Sequence, residues 1–164
     1  MDVDIVVEIP QGERNKYELD HETGRIRLDR TLFTATRYPA EYGFIEHTHA
    51  LDGDPLDALV LMGEPTFPGC VINGRVIGMF CMHDENGEDN KIICVPAGDP
   101  RWDAVREIDD IADYHRLELQ HFFEVYKQLE PDKEVSDPSW ADGAAAQREI
   151  TDSQQRYDAQ HEQT

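Results

Sequence analysis

Apolar residues in the first half of the chain alternate with polar ones, and only later do they recur at helical spacing. Val3, Ile5, Val7 and Ile9 fall on one side and Asp4, Val6 and Glu8 on the other, which predicts a strand ended by Pro10-Gln11-Gly12. Lys16 to Leu19 predicts a short second strand, with Lys16 and Glu18 on one face and Tyr17 and Leu19 on the other. His21-Glu22-Thr23-Gly24 reads as a hairpin turn and Arg25 to Arg30 as the returning strand. Arg30 is in phase with Ile26 and Leu28, so it either snorkels out at the strand end or aims at an interior anion. Tyr38-Pro39 and Tyr42-Gly43-Phe44 read as an aromatic, turn-rich connection. The unbroken run Ala58-Leu59-Val60-Leu61-Met62 predicts a strand buried on both faces. Val71 to Met82 predicts a long strand bent at Asn73-Gly74 and Gly78, with Ile92 to Pro96 as its return partner.

After Trp102 the period changes. Leu119, Phe122, Phe123 and Tyr126 form a helical stripe, with Asp113 as the expected N-cap and Pro131 beyond the end. From about Asp137 the chain is polar apart from Trp140 and a run of alanines, so a loosely held helix fraying towards Thr164 is expected. The pattern is mostly β, then α, over one domain spanning residues 1–164, with no repeat or linker.

Composition narrows the function classes. The chain has 164 residues and a formal net charge of −20. A surface of that sign repels nucleic acid and anionic membranes, so neither is expected as a partner. No apolar run is long enough to span a membrane, and the N-terminus lacks a signal-peptide pattern. Cys70, Cys81 and Cys94 have no C-x-x-C spacing and are expected to be small buried hydrophobes in a reducing, cytoplasmic compartment. His47 and His49 lack a third nitrogen or sulfur ligand and are expected at the surface.

Two acidic clusters remain. Asp52-Gly53-Asp54-Pro55-Leu56-Asp57 puts three carboxylates at the mouth of the buried run. That arrangement is costly unless a cation sits among them, and hard divalent ions take such oxygen ligands. An EF-hand is excluded, because Leu56, Asp57 and Gly63 stand where an acid or amide, Gly and Glu are needed. The second cluster, His83 to Lys91, reads on its own as a solvated hairpin tip.

Together these pieces resemble the soluble family I inorganic pyrophosphatases of bacteria. Residues 52–57 fit that family's D-x-D-P-x-D signature. Glu8, Lys16-Tyr17-Glu18, Arg30, Tyr38-Pro39, Tyr42-Gly43, the Asp84–Lys91 loop and Tyr126-Lys127 follow in family order. The resemblance runs from Val3 to about Glu130. It implies an α+β, mostly β fold: a five-stranded OB-like barrel with flanking helices, the main helix C-terminal. It further implies Mg²⁺-dependent hydrolysis of pyrophosphate to two phosphates, with Mn²⁺ a possible substitute, in a homohexamer. By resemblance Asp52, Asp57, Asp84, Asp89 and Glu8 hold metal, and Lys16, Arg30, Tyr42, Lys91, Tyr126 and Lys127 grip phosphate. Glu18 and Tyr38 support them, and Asp54, with Asp89 as competitor, accepts the proton of the attacking water. His21, His83, His115 and His121 receive no role. The rivals are a cation-binding module without catalysis, which has no use for Lys16, Arg30 and Lys127, and an oligonucleotide-binding OB domain, which the net charge opposes.

Overall fold

The computed structural model describes residues 1–162. Its frame is a ring of five strands: β1 (Asp2–Ile9), β4 (Glu41–Ile45), β5 (Leu56–Val60), β8 (Lys91–Pro96) and β6 (Val71–Asp84), the last pairing back onto β1. This ring is the five-stranded, OB-like barrel that the family resemblance implied. The β5–β8 pair is parallel and the other pairs of the ring are antiparallel. A separate hairpin, β2 (Asn15–Asp20) with β3 (Arg25–Thr31), stands beside it. The short β7 (Gly87–Glu88) and β9 (Val135–Asp142) both pair with β6. Two α-helices, α1 (Asp113–Val125) and α2 (Gly143–His161), and two short 3-10 turns, Pro100–Trp102 and Ile108–Asp110, complete the described residues.

Alternation along the central strands divides the interior into two cores. Leu56, Ala58 and Val60 of β5 join Ile92 and Cys94 of β8 in one, closed by Ala146 and Ile150 of α2. Leu59 joins Ile93 and Val95 in the other, closed by Leu119, Phe122 and Phe123 of α1. The run after Pro55 is therefore buried on both faces, as its composition required. One consequence positions the site. Asp57 is in phase with Leu59, Lys91 is in phase with Ile93, and the two are register partners at the mouth of the α1-side core.

Several expectations change. The 38–44 connection contains a strand, because Glu41–Ile45 fills the gap between β1 and β5. Gly43 is required there, since any side chain would collide with the Val6 backbone. The bend expected at Gly78 is a bulge between Val76 and Gly78, where a Cβ would come within 2.7 Å of the Ile108 Cβ. Helix α1 is capped by Ala112, without a side-chain hydrogen bond; Asp113 is its first residue and favours the positive end of the dipole. Of the cysteines only Cys94 is fully buried, while Cys70 and Cys81 are half-buried. His47 is exposed but His49 is half-buried, and both rings pack on Tyr157.

The largest difference lies beyond residue 134. Val135–Asp142 forms a strand, and α2 is capped by Asp142, whose side chain accepts from the Ala145 amide at 2.9 Å. Gly143, Ala146, Ile150 and Ser153 of α2 are buried, so this segment is packed and not loosely held. The buried stripe uses small residues, which carry little hydrophobic signal in a sequence.

Candidate active site

A cleft of about 210 Å³ opens where the hairpin, the ring and the end of α1 meet. It is lined by Glu8, Glu18, Asp52, Asp54, Asp57, Asp84, Glu85 and Asp89, and by Lys16, Arg30, Lys91, Lys127 and Lys133, with Tyr17, Tyr42 and Tyr126 among them. Every residue singled out for the site from the sequence lies in this lining except Tyr38. That residue is buried beneath, its ring 5.4 Å from Tyr42 and 4.7 Å from Phe122.

The floor is built on strand ladders. Lys91 is 1% exposed and spends all three of its ammonium hydrogens on protein partners. It donates to Asp57 Oδ2 and Asp89 Oδ1, each at 2.7 Å, and to the Tyr42 hydroxyl at 2.9 Å. Tyr42 in turn donates to Asp57 Oδ2 at 2.8 Å. Burial works against the Lys91 charge, but Asp57, Tyr42 and Asp89 outweigh it and hold its pKa well above the ordinary lysine value. Burial pushes the Asp57 carboxyl up even with Lys91 beside it. At Asp89 the same penalty is overcome by Lys91 and Lys127, and the pKa falls below the ordinary carboxylate value.

β-Bulges aim two further groups. A register shift between Val7 and Ile9 takes Glu8 out of the strict alternation of β1 and into the cleft. Burial raises its pKa to about 7, although its Oε2 accepts from the Leu19 amide at 2.7 Å. In the hairpin a shift between Lys16 and Tyr17 pairs Lys16 with Arg30 and Tyr17 with Leu28. Lys16, Tyr17 and Glu18 then all reach the cleft, so Tyr17 does not face away as alternation predicted. Leu28 is 58% exposed, and Arg30 does not share a buried apolar face with it.

Arg30 instead meets Glu130, a buried residue for which the sequence carried no signal. Nη2 donates to Glu130 Oε2 at 3.0 Å and Nε lies 2.9 Å from Oε1, while Nη1 meets Asp29. Burial opposes the Arg30 charge, but Glu130 and Asp29 more than restore it. The rim opposite joins Lys127 and Asp84, both expected at the site, to Glu85 and Lys133, for which the sequence carried no signal. Lys127 donates to Glu85 Oε2 at 3.1 Å and lies 3.6 Å from Asp84 Oδ2; Lys133 donates to Glu85 Oε1 at 3.0 Å. Burial of Glu85 is outweighed by a backbone hydrogen bond and these two lysines, bringing its pKa to about 2.

The donor set suits hard divalent cations, since every acidic ligand offers oxygen and no histidine or cysteine lines the cleft. Among the described residues no three acidic, histidine or cysteine side chains close on one point tightly enough to hold an ion; Lys91 occupies the space between Asp57 and Asp89. The charge balance argues the same way as the chemistry. Eight carboxylates face five cations, so the cleft is net negative and cannot receive a polyanion without added positive charge.

A family model described as inorganic pyrophosphatase matches residues 5–158. The inorganic pyrophosphatase of Streptomyces coelicolor is 58% identical over 157 residues, covering 96% of each chain. That of Corynebacterium efficiens is 50% identical over 159 residues, covering 97% of this chain and 100% of its own. The solved structure of the Thermus thermophilus inorganic pyrophosphatase superposes with a TM-score of 0.93 at 46% identity, covering 96% of this chain and 91% of that one.

Proposed function

We propose, given that this chain belongs to the inorganic pyrophosphatase family and hydrolyses pyrophosphate to two phosphates, a division of labour within the cleft. The observation that carries it is the excess of carboxylates over cations around the buried Lys91. Asp52, Asp57, Asp84, Asp89 and Glu8 hold Mg²⁺, with Mn²⁺ as a substitute. When bound, the divalent ions neutralise phosphate oxygens and make water acidic enough to attack phosphorus at neutral pH.

The chain's own residues do the rest. Lys16, Arg30, Tyr126 and Lys127 bind the phosphate oxygens and stabilise charge on the leaving group as the bridging P–O bond breaks, and Lys91 and Tyr42 join them once bound cations take over their partners Asp57 and Asp89. Glu130 keeps the Arg30 guanidinium turned along the cleft. Tyr38 supports the Tyr42 ring from below, and Glu18 orders the hairpin wall. Asp54 accepts the proton of the attacking water. It lines the cleft on an exposed loop, and among the described residues its carboxylate has no side-chain hydrogen-bond partner, whereas Asp89 is tied to Lys91.

Phosphate release from pyrophosphate, measured with Mg²⁺ and then in excess chelator, tests the metal reading; activity that survives the chelator contradicts it. Asp54→Asn should lower kcat by ~10²–10⁴-fold, the usual contribution of a general base, and leave Mg²⁺ affinity intact. Normal turnover in Asp54→Asn with none in Asp89→Asn at saturating Mg²⁺ would move the role to Asp89.

The subunits assemble as a homohexamer in the cytoplasm. The family resemblance supports this, as do the exposed Tyr114 and Leu117 on α1. No helix among the described residues is long and apolar enough to cross a membrane. Sedimentation of the purified protein reads the assembly directly.

A further inference from the structure

The loop between β4 and β5, which carries Asp52 and Asp54, is fastened from outside the cleft by the C-terminal helix. Arg156 Nε donates to the His49 carbonyl at 2.7 Å, and the His49 amide donates to the Ser153 carbonyl at 2.9 Å. The guanidinium is itself oriented, since Nη2 donates to Glu149 Oε1 and Ser153 Oγ, each at 2.9 Å. From this anchor the loop closes on itself. The Ala50 amide donates to the Asp54 carbonyl at 2.8 Å, and the Asp54 amide to Asp52 Oδ1 at 2.9 Å.

Buried Thr48 ties the base of the loop, its hydroxyl accepting from the Leu56 amide at 2.9 Å, and the Gly53 amide donates to the Ala50 carbonyl at 2.9 Å; beyond that turn little holds the tip. Leu51, Asp52, Gly53 and Asp54 are all exposed, and Gly53 has a φ of 88°, a conformation chosen by the turn and not by packing. Ordering such a segment around a cation costs chain entropy, and less of it when one end is already pinned. We propose that Arg156 is a positioning residue for the pyrophosphatase reaction: from α2 it presets the Asp52–Asp54 loop for cation uptake, a role that rests on the metal reading above. Helix α2 is then part of the catalytic apparatus without touching substrate.

The test uses the full chain. Arg156→Met keeps the aliphatic stem and removes the donors. Phosphate release is followed against Mg²⁺ concentration at saturating pyrophosphate, and Mg²⁺ binding to the substrate-free protein is measured beside it by calorimetry. The half-saturating Mg²⁺ should rise about tenfold, equivalent to ~1.4 kcal/mol, with KM for pyrophosphate unchanged. Arg156→Lys should recover part of the loss, because an ammonium still reaches the His49 carbonyl. Ile150→Val trims the α2 core contact but leaves every hydrogen bond of Arg156 in place, and should leave the Mg²⁺ midpoint unmoved. Should Arg156→Met fail to fold, Glu149→Ala, which removes one of the two acceptors that orient Nη2, carries the same test with a smaller shift. An unmoved Mg²⁺ midpoint in the Arg156 variants, or an equal shift in Ile150→Val, overturns the proposal. Wild-type activity indifferent to chelator would remove the metal reading first, before any variant is made.

Discussion

The floor and the rim of the cleft use the same chemical groups in opposite ways. On the floor, Lys91, Asp57 and Tyr42 hang from strands whose pairing fixes their separation, and the Lys91 side chain is only 2% exposed. On the rim, Lys16, Asp29 and Arg30 stand on a hairpin outside the ring with side chains 24–34% exposed. A charge on the floor is desolvated, so its partners decide whether it can exist there. A charge on the rim is screened by water, so its partners add little to stability, and under the proposed division of labour its value lies in meeting substrate. On that reading the fold separates the task of holding acids close together from the task of first receiving an anion.

The most severe way to break this division is Lys91→Met. It leaves Asp57 and Asp89 near one another without their ammonium, and loss of one partner of a buried ion cluster costs ~3–5 kcal/mol. Urea unfolding in chelator should show that loss, and added Mg²⁺ should recover part of it by replacing the missing charge. A loss under 1 kcal/mol would place Lys91 among the rim residues instead.

A smaller effect should come from Glu8 as pH changes. Its folded-state pKa of about 7 lies above the ordinary 4.5, so between those values the folded chain keeps a proton that the unfolded chain has released. The stability contribution is present below about pH 4.5 and is lost as pH rises to about 7. At 1.36 kcal/mol per pKa unit its ceiling is ~3 kcal/mol. Metal-free wild type should therefore lose stability across that window more steeply than Glu8→Gln. Equal slopes would show that Glu8 is solvated like a rim residue.

The rim should give the smallest change in stability. Lys16→Gln removes a 3.3 Å pair with Asp29 and should move the unfolding midpoint by no more than ~0.5 kcal/mol. KM for pyrophosphate should nonetheless rise about tenfold, as expected for a lost charge on substrate. A variant that unfolds easily but binds substrate normally would reverse the roles of floor and rim.

The floor was legible only in part. The unbroken run from Ala58 and the acids before it revealed a buried strand with a charged mouth, but Lys91 read as the end of a solvated hairpin tip and Tyr42 as part of a turn-rich connection, so both were placed at the site by the family resemblance alone. Glu8 and the rim residues of the hairpin were less legible because bulges at Glu8 and at Lys16–Tyr17 break the alternation that places side chains, and a bulge leaves little trace in a sequence. Glu130, Glu85 and Lys133 were missed for another reason: each is a polar residue in a turn or loop, meaningful only through a partner distant in the chain. Strand β9 was hidden by its exposed, polar composition and Pro138. Helix α2 had one readable signal, the spacing of Gly143, Ala146, Ile150 and Ser153, but residues so small are easily taken for a solvated tail.

The most direct test of the central claim is a calorimetric titration of Mg²⁺ into substrate-free protein, comparing wild type with Asp57→Asn and Lys16→Gln. If the floor acids take up divalent cations, wild type and Lys16→Gln will bind Mg²⁺ alike, and Asp57→Asn will lose at least one binding event. Undiminished Mg²⁺ binding by Asp57→Asn would contradict the account.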